Sequence, residues 1–384
     1  MKKILILIFL VVPVLFTVGC NAQPKLRILN WGEYMSDEVI ARFETEFGIN
    51  VVVSTADSNE KFYSKIKSRT TSFDIVIPSD YMIEKMVGEG LLMPLDYTLL
   101  PNRDLVTYMD GVEQIFTSMH QTTEARSGSD VDYHAYAIPY FWGTFGIIYN
   151  NRVSGLASAL EANGWEVYFD AQSYFPNARR GMYDVPQYAY AAALMHLGQN
   201  PNQYSSTLLQ SAKTVLQGAN FDEWGNDALK RNIEANNLDL AFAYTGDYLD
   251  RLYIQIKEGK TVAQVQADFD IYLPNPTMVF VDAMVIPTAS KNPDLAHQFI
   301  NYLLDPEIVA LNSESVGYAT ALEEAFDIIV GYIDSTDHWR KNWAIAYLTY
   351  YDKGREGVYY PLTSLNPTDI DQINTMIQDV ITGR

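Results

Sequence analysis

Cysteine is nearly absent: Cys20 is the sole thiol in 384 residues. One cysteine cannot close an intrachain disulfide or build a thiolate metal site, so the fold must rest on its own core. The five histidines, His120, His134, His196, His297 and His338, are scattered, with no pair at metal-ligand spacing and no His-Glu-x-x-His. There is no phosphate-binding loop, GEGLLM at 88–93 lacks the last glycine of a dinucleotide loop, and no Gly-x-Ser-x-Gly elbow occurs. No cofactor, metal or catalytic residue is therefore expected, although acids are common enough that a carboxylate pair of the glycosidase kind stays open. Positive charge is in deficit, with 27 Lys and Arg against 47 Asp and Glu, a net charge of −20. That balance argues against a nucleic-acid partner and suits a cationic one, while serving solubility equally well. Beyond residue 20 no run is apolar enough to span a membrane.

The chain is long enough for two domains, and its 48% apolar and 19% charged residues give an ordinary globular balance. Lys2 and Lys3 precede an apolar run from Ile4 to Phe16, which reads as an export signal over residues 1–20. Cys20 follows the small Gly19 and resembles the lipidated first residue of a mature bacterial lipoprotein. Thr17 departs from the usual leucine of such a signal, and an ordinary cleaved signal with an incidental cysteine is the plainer reading. Either reading places the protein outside the cytoplasm.

From residue 26 strand and helix patterns alternate. LRILNW, INVVVST and FDIVIP read as strands. SDEVIARFETEFG, with Ser36 as cap and Gly48 as stop, NEKFYSKIKSRT and PSDYMIEKMVGEG read as helices. This order predicts an α/β fold with a mostly parallel sheet, in which ligands bind beyond the carboxyl ends of the strands. Further on, IPYFWGTFGIIYN and the two runs flanking Pro-Asn-Pro at 274–276 are extended. PQYAYAAALMHLG, NPDLAHQFINYLLDP and PTDIDQINTMIQDVITG carry helical periodicity. No internal repeat or low-complexity tract is present.

At the end of the first strand stands Trp31-Gly32-Glu33-Tyr34, a carboxylate between two large rings. A core would take the rings without the acid, and a solvated loop the acid without the rings. A pocket for an organic cation takes both, because carboxylates replace the water of an ammonium group and ring faces cover the methylenes. LNWGEYM, SNEKFYSKIKS, FDIVIPSDYMIEKMVGEGLL, IPYFWGTFGIIYN and VFVDAMVIPTASKN, followed by VGYAT, together resemble the spermidine/putrescine-binding proteins. These are the extracytoplasmic substrate receptors of polyamine ABC importers. The likeness covers most of residues 26–320 and is weaker between about 155 and 180 and beyond about 325.

The resemblance implies the type II periplasmic-binding-protein fold, two α/β lobes with a ligand cleft and hinge crossovers. Residues 25–135 with 280–320 would form one lobe, and 136–279 with 321–384 the other. It implies a monomeric receptor, anchored to the cell membrane by lipid on Cys20, that delivers spermidine or putrescine to an ABC permease with its cytoplasmic ATPase. Glu33, Asp184, Asp247 and Asp282 would bind ammonium groups, and Trp31, Tyr34, Tyr81, Tyr244, Phe280 and Tyr318 would pack the alkyl chain. Ser79 and Gln187 would be neutral acceptors, with Asp80 at the cleft rim. Each acid has a plainer reading: Glu33 as an exposed acid at a helix start, Asp247 and Asp184 as helix caps. Asp282 interrupts an apolar run, where an unpartnered charge is costly. Departures from the family are Gln187 for a glutamate, Pro186 for an arginine, Gly32 for a hydroxyl residue and Tyr244 for a tryptophan.

Two alternatives remain at this point. The same fold could hold a sugar, an amino acid or a metal such as ferric ion, although an amino-acid site needs an arginine and none falls in these cleft segments. A secreted glycoside hydrolase would instead use two of the acids, one with a raised pKa.

Overall fold

The computed structural model describes residues 23–351 and 357–383, so the export segment and Cys20 lie outside the described residues. Its eleven strands are β1 (Lys25–Asn30), β2 (Asn50–Thr55), β3 (Ile75–Val76), β4 (Ala137–Asn150), β5 (Arg180–Tyr183), β6 (Glu223–Gly225), β7 (Leu240–Tyr244), β8 (Phe269–Tyr272), β9 (Thr277–Val285), β10 (Ala319–Thr320) and β11 (Tyr359–Pro361). They hydrogen-bond in the order β2-β1-β3-β9-β4-β7-β5-β6, with β8 and β10 on β4 and β11 on β9.

The two ends of this path are parallel, as expected: β1 pairs parallel with β2 and β3, and β5 parallel with β6 and β7. The middle is antiparallel. β4 pairs with β9 over Ala137–Thr144 and with β7 and β8 over Phe145–Asn150, so one fourteen-residue strand serves both halves. Every residue of β9 is buried and all of β4 except Trp142, as a strand covered on both faces requires. This joins the two parallel ends into one continuous sheet. The register of β4 on β9 shifts between Pro139 and Phe141. Proline has no N–H for the ladder, and the bulge leaves Tyr140 free to aim elsewhere.

The helices form where periodicity placed them, with local differences. Asp37–Phe47 buries Val39 and Phe43 and stops at Gly48 in the left-handed conformation. Ser36 is extended at its start, but its side chain makes no cap bond; its N–H donates to Asn312 Oδ1 at 2.9 Å. FDIVIP pairs only through Ile75 and Val76. The alanine-rich helix Pro186–His196 is buried all round, because its small side chains let the C-terminal helix Pro367–Ile381 approach closely. Among the described residues no helix is long and apolar enough to cross a membrane.

Two glycines hold the centre together. Gly317 ends the helix Pro306–Val316 at φ 82°, and a Cβ there would lie 2.5 Å from the backbone nitrogen of Asp250. Gly246 opens the helix Thr245–Lys257, and a Cβ there would lie 2.3 Å from the Tyr318 ring. Gly317→Ala combines a left-handed alanine with a backbone clash and is expected to cost roughly 2–4 kcal/mol. Gly90→Ala, equally left-handed but with open space around it, is expected to cost about 1 kcal/mol. Thermal unfolding of the two variants checks this, and equal shifts would refute the close approach.

Candidate functional site

The helices and loops at the strand ends enclose a cavity of about 470 Å³. At its inner end lies Asp282, in the middle of β9 and only 4% exposed. The Ser79 hydroxyl donates to its Oδ1 at 2.6 Å and the Tyr34 hydroxyl to its Oδ2 at 2.7 Å. Asn59 fixes Ser79 in turn, its Nδ2 donating to Ser79 Oγ and its Oδ1 accepting from the Ser79 N–H, both at 3.0 Å. Burial pushes the Asp282 carboxyl up to about 7, and the two hydroxyls only partly offset this. Two donors occupy about half the acceptor positions of a carboxylate, so Asp282 keeps lone pairs for a donor in the cavity it lines.

The Trp31–Tyr34 loop is tied down from three sides. Tyr140, released by the bulge, donates to the Tyr34 carbonyl at 2.9 Å and accepts from Asn312 Nδ2 at 2.6 Å. Asn30 Nδ2 reaches the same carbonyl at 3.3 Å. The Trp31 indole donates to the Ile77 carbonyl at 2.8 Å and sets its ring edge-on to Phe62. Glu33 takes φ 53°, an uncommon backbone state for a side-chain-bearing residue.

Aromatic faces line the cavity between its polar ends. Tyr34 meets Tyr318 edge-on with centroids 4.7 Å apart, and Tyr244 meets Phe280 likewise at 4.9 Å. Tyr183 stands edge-on to Tyr244 at 5.3 Å, and Tyr188 accepts the Tyr244 hydroxyl proton at 2.9 Å. Tyr81 lines the cavity from the helix Asp80–Gly88 and donates to Glu60 Oε1 at 3.3 Å.

The other end centres on Asp247. Its Oδ2 accepts from the Tyr244 N–H at 3.2 Å, which caps the helix, and from the Tyr183 hydroxyl at 3.0 Å. Its Oδ1 faces the Tyr318 hydroxyl and Lys230 Nζ, each at 3.4 Å. Cap and cavity lining are one residue here. Lys230, 4% exposed, also lies 3.1 Å from Asp250 and 3.5 Å from Glu33. Burial disfavours the Lys230 ammonium, but Asp247, Asp250 and Asp227 outweigh it and hold its pKa above the usual lysine value. Burial raises the Asp247 carboxyl, with Lys230 pulling it back. Arg231, outside the cavity lining, adds a contact to Glu33 at 3.6 Å.

Nine of the twelve expected ligand residues border this cavity, Trp31, Glu33, Tyr34, Tyr81, Tyr244, Asp247, Phe280, Asp282 and Tyr318, while Ser79 is buried behind Asp282, to which it donates. Asp184 and Gln187 do not border it. Side chains alternate along β5 and its continuation, so Tyr183 and Val185 face inward while Asp184 points to solvent. Gln187 is buried and donates to the Thr363 carbonyl at 3.1 Å. Asp80 is not at the rim: it is 1% exposed in the first helical turn and accepts the Tyr81 N–H at 2.7 Å. Tyr183, Tyr188 and Lys230 were not expected. The alternation in Met-Tyr-Asp-Val contains Tyr183, but ALKRNIE reads as an ordinary surface helix and hides Lys230. It is that helix which brings cations, Arg231 included, to a cleft whose expected segments held no arginine.

Comparison with known proteins agrees with this architecture. The family model described as bacterial extracellular solute-binding protein matches residues 38–346. The putrescine-binding periplasmic protein PotF of Escherichia coli K12 is 29% identical over 319 residues, 80% of each chain. The spermidine/putrescine-binding periplasmic protein 1 of Haemophilus influenzae is 26% identical over 315 residues, 79% of this chain and 77% of that one. A solved structure from Listeria monocytogenes superposes with a TM-score of 0.72 at 29% identity, covering 94% of this chain and 100% of that one. The spermidine/putrescine ABC transporter substrate-binding protein PotD of Streptococcus pneumoniae does so with a TM-score of 0.66 at 25% identity, covering 94% and 99%. With a matched solute-binding model over most of its length and a cleft at the strand ends, the chain belongs to the bacterial extracellular solute-binding protein family.

Proposed function

We propose that the chain is an extracytoplasmic receptor that captures polyamines and delivers them to an ABC permease. The observation that carries this reading is Asp282, a buried carboxylate with open lone pairs at the end of an aromatic-lined cavity. An ammonium group gives up its hydration only where such an acceptor replaces water, and the rings around it cover methylenes and add about 0.5–2 kcal/mol per cation–π contact. A cavity of about 470 Å³ falls in the range of small-molecule sites, about 300–1,000 Å³. Relatives named for putrescine and for spermidine support the same ligand class. The family is one of receptors, so the hydrolase reading is set aside.

Capture would begin in an open cleft. The lobes expected at 25–135 with 280–320 and at 136–279 with 321–384 would close by bending at β4 and β9, the strands both halves share. A permease and its cytoplasmic ATPase would then accept the closed form, with lipid on Cys20 keeping the receptor at the membrane.

Titration calorimetry with putrescine and spermidine tests the reading. Saturable one-to-one binding is expected, and Asp282→Asn should weaken it roughly a hundredfold or more, because it leaves a desolvated ammonium without its counter-charge. Absence of polyamine binding at millimolar concentration would refute the function. The pH dependence has a definite sign. In the free protein Asp282 takes up a proton near pH 7, and a bound ammonium favours the ionised form, so binding below that pH releases a proton. The Kd is expected to rise about tenfold per pH unit below about 7 and to level off above it. A profile flat between pH 5.5 and 8 in the wild type would show that Asp282 does not carry the contact.

A further inference from the structure

The acid cluster at the Asp247 end already holds a cation that belongs to the chain. Lys230 Nζ lies 3.1 Å from Asp250, 3.4 Å from Asp247 and 3.5 Å from Glu33, on a side chain that is almost wholly buried. Asp247 and Asp250 sit at i and i+3 on the helix Thr245–Lys257 and so present both carboxylates to one point. The four contacts on Asp247, from Tyr183, Tyr244 N–H, Tyr318 and Lys230, match the number of its acceptor positions. Asp282, at the other end, has only Ser79 and Tyr34.

We propose that Lys230 is a resident ammonium that takes the third cationic position of the cleft, so that the cleft selects a two-ammonium amine over a three-ammonium one. The inference rests on the polyamine reading above and names the ligand within that class. The charge count of the cavity wall supports it. Five carboxylates line the cavity (Glu33, Asp57, Asp227, Asp247 and Asp282) with three ammonium groups (Lys61, Lys65 and Lys230). With Asp250, which pairs with Lys230, and Arg231, which pairs with Glu33, six carboxylates face four cations, an excess of two negative charges. Asp57 is held by Lys61 at 2.6 Å and Asp247 is saturated, which leaves the excess on Asp282 at one end and on Asp227, whose Oδ1 faces the Tyr183 hydroxyl at 3.4 Å, at the other. A dication balances that excess. A trication brings one further charge, which must displace Lys230 or remain without a carboxylate partner, and either outcome is costly.

The test compares putrescine and spermidine on the full-length protein by calorimetry, reading the ratio of the two dissociation constants. Wild type is expected to bind putrescine at least about tenfold more tightly than spermidine. Lys230→Met should move the ratio about tenfold or more toward spermidine, whereas Lys230→Arg, which keeps the charge, should retain the wild-type preference. Asn226→Asp serves where Lys230→Met fails to fold. Asn226 is exposed and lines the cavity, so the change adds one carboxylate without removing Lys230 and should shift the ratio in the same direction. A folded Lys230→Met, or failing that Asn226→Asp, with the ratio unchanged would overturn the inference while leaving the receptor function intact. A wild type that prefers spermidine also overturns it. A wild type that binds neither amine overturns the receptor reading itself.

Discussion

Placing a carboxylate in the middle of a strand buried on both faces is costly, because ionising it there forfeits several kcal/mol of hydration. Asp282 sits in such a place on β9, and the surrounding structure answers to it. Ser79 and Tyr34 give it hydroxyls, Asn59 orients Ser79, and Asn30, Tyr140 and Asn312 fix the loop that delivers Tyr34. Tyr140 can reach that loop only because the strand bulges at Pro139. These contacts soften the burial without cancelling it. The site thus stores an unmet demand for a cation, at the expense of the stability of the empty protein.

The opposite end of the cavity follows the reverse logic. Asp247 is satisfied by a helix cap, two phenols and an ammonium, and Lys230 is satisfied by three acids. One pole waits for charge and the other has it built in. The rings between them, Tyr34, Tyr318, Tyr244 and Phe280, stand edge-on to one another, a geometry that fixes each ring and leaves faces for an apolar chain.

Much of this was legible in the residues. The alternation of strand and helix patterns over residues 26–90 follows from local periodicity, and Asp282 stood out because it breaks an apolar run. Trp31, Tyr34 and Glu33 were visible as rings beside an acid at a strand end. Asp184 has the charge of a ligand residue but not the position, because the two-residue alternation of the strand turns it outward and Tyr183 inward. Lys230 was invisible for a different reason. A Lys-Arg pair on a short helix is the ordinary dress of a surface, and only pairing across distant segments places it opposite Glu33. The same holds for β4 and β9, whose contacts link residues more than 130 positions apart and leave no local pattern.

β4 and β9 are the strands common to both halves, and Asp282 lies on one of them. Glu33 and Lys230 come from loop and helix segments on opposite sides of the cleft. When two bodies turn about a shared axle, points on the axle barely travel and points at the jaws travel farthest. In the proposed closure Asp282 would keep its hydroxyl partners throughout, while the Glu33–Lys230 contact would be made last and broken first. The ligand would meet a finished anchor at the axle and a latch that engages only after it. Affinity would thus be decided at a place that does not move, and the shape a transporter would sense set at one that does.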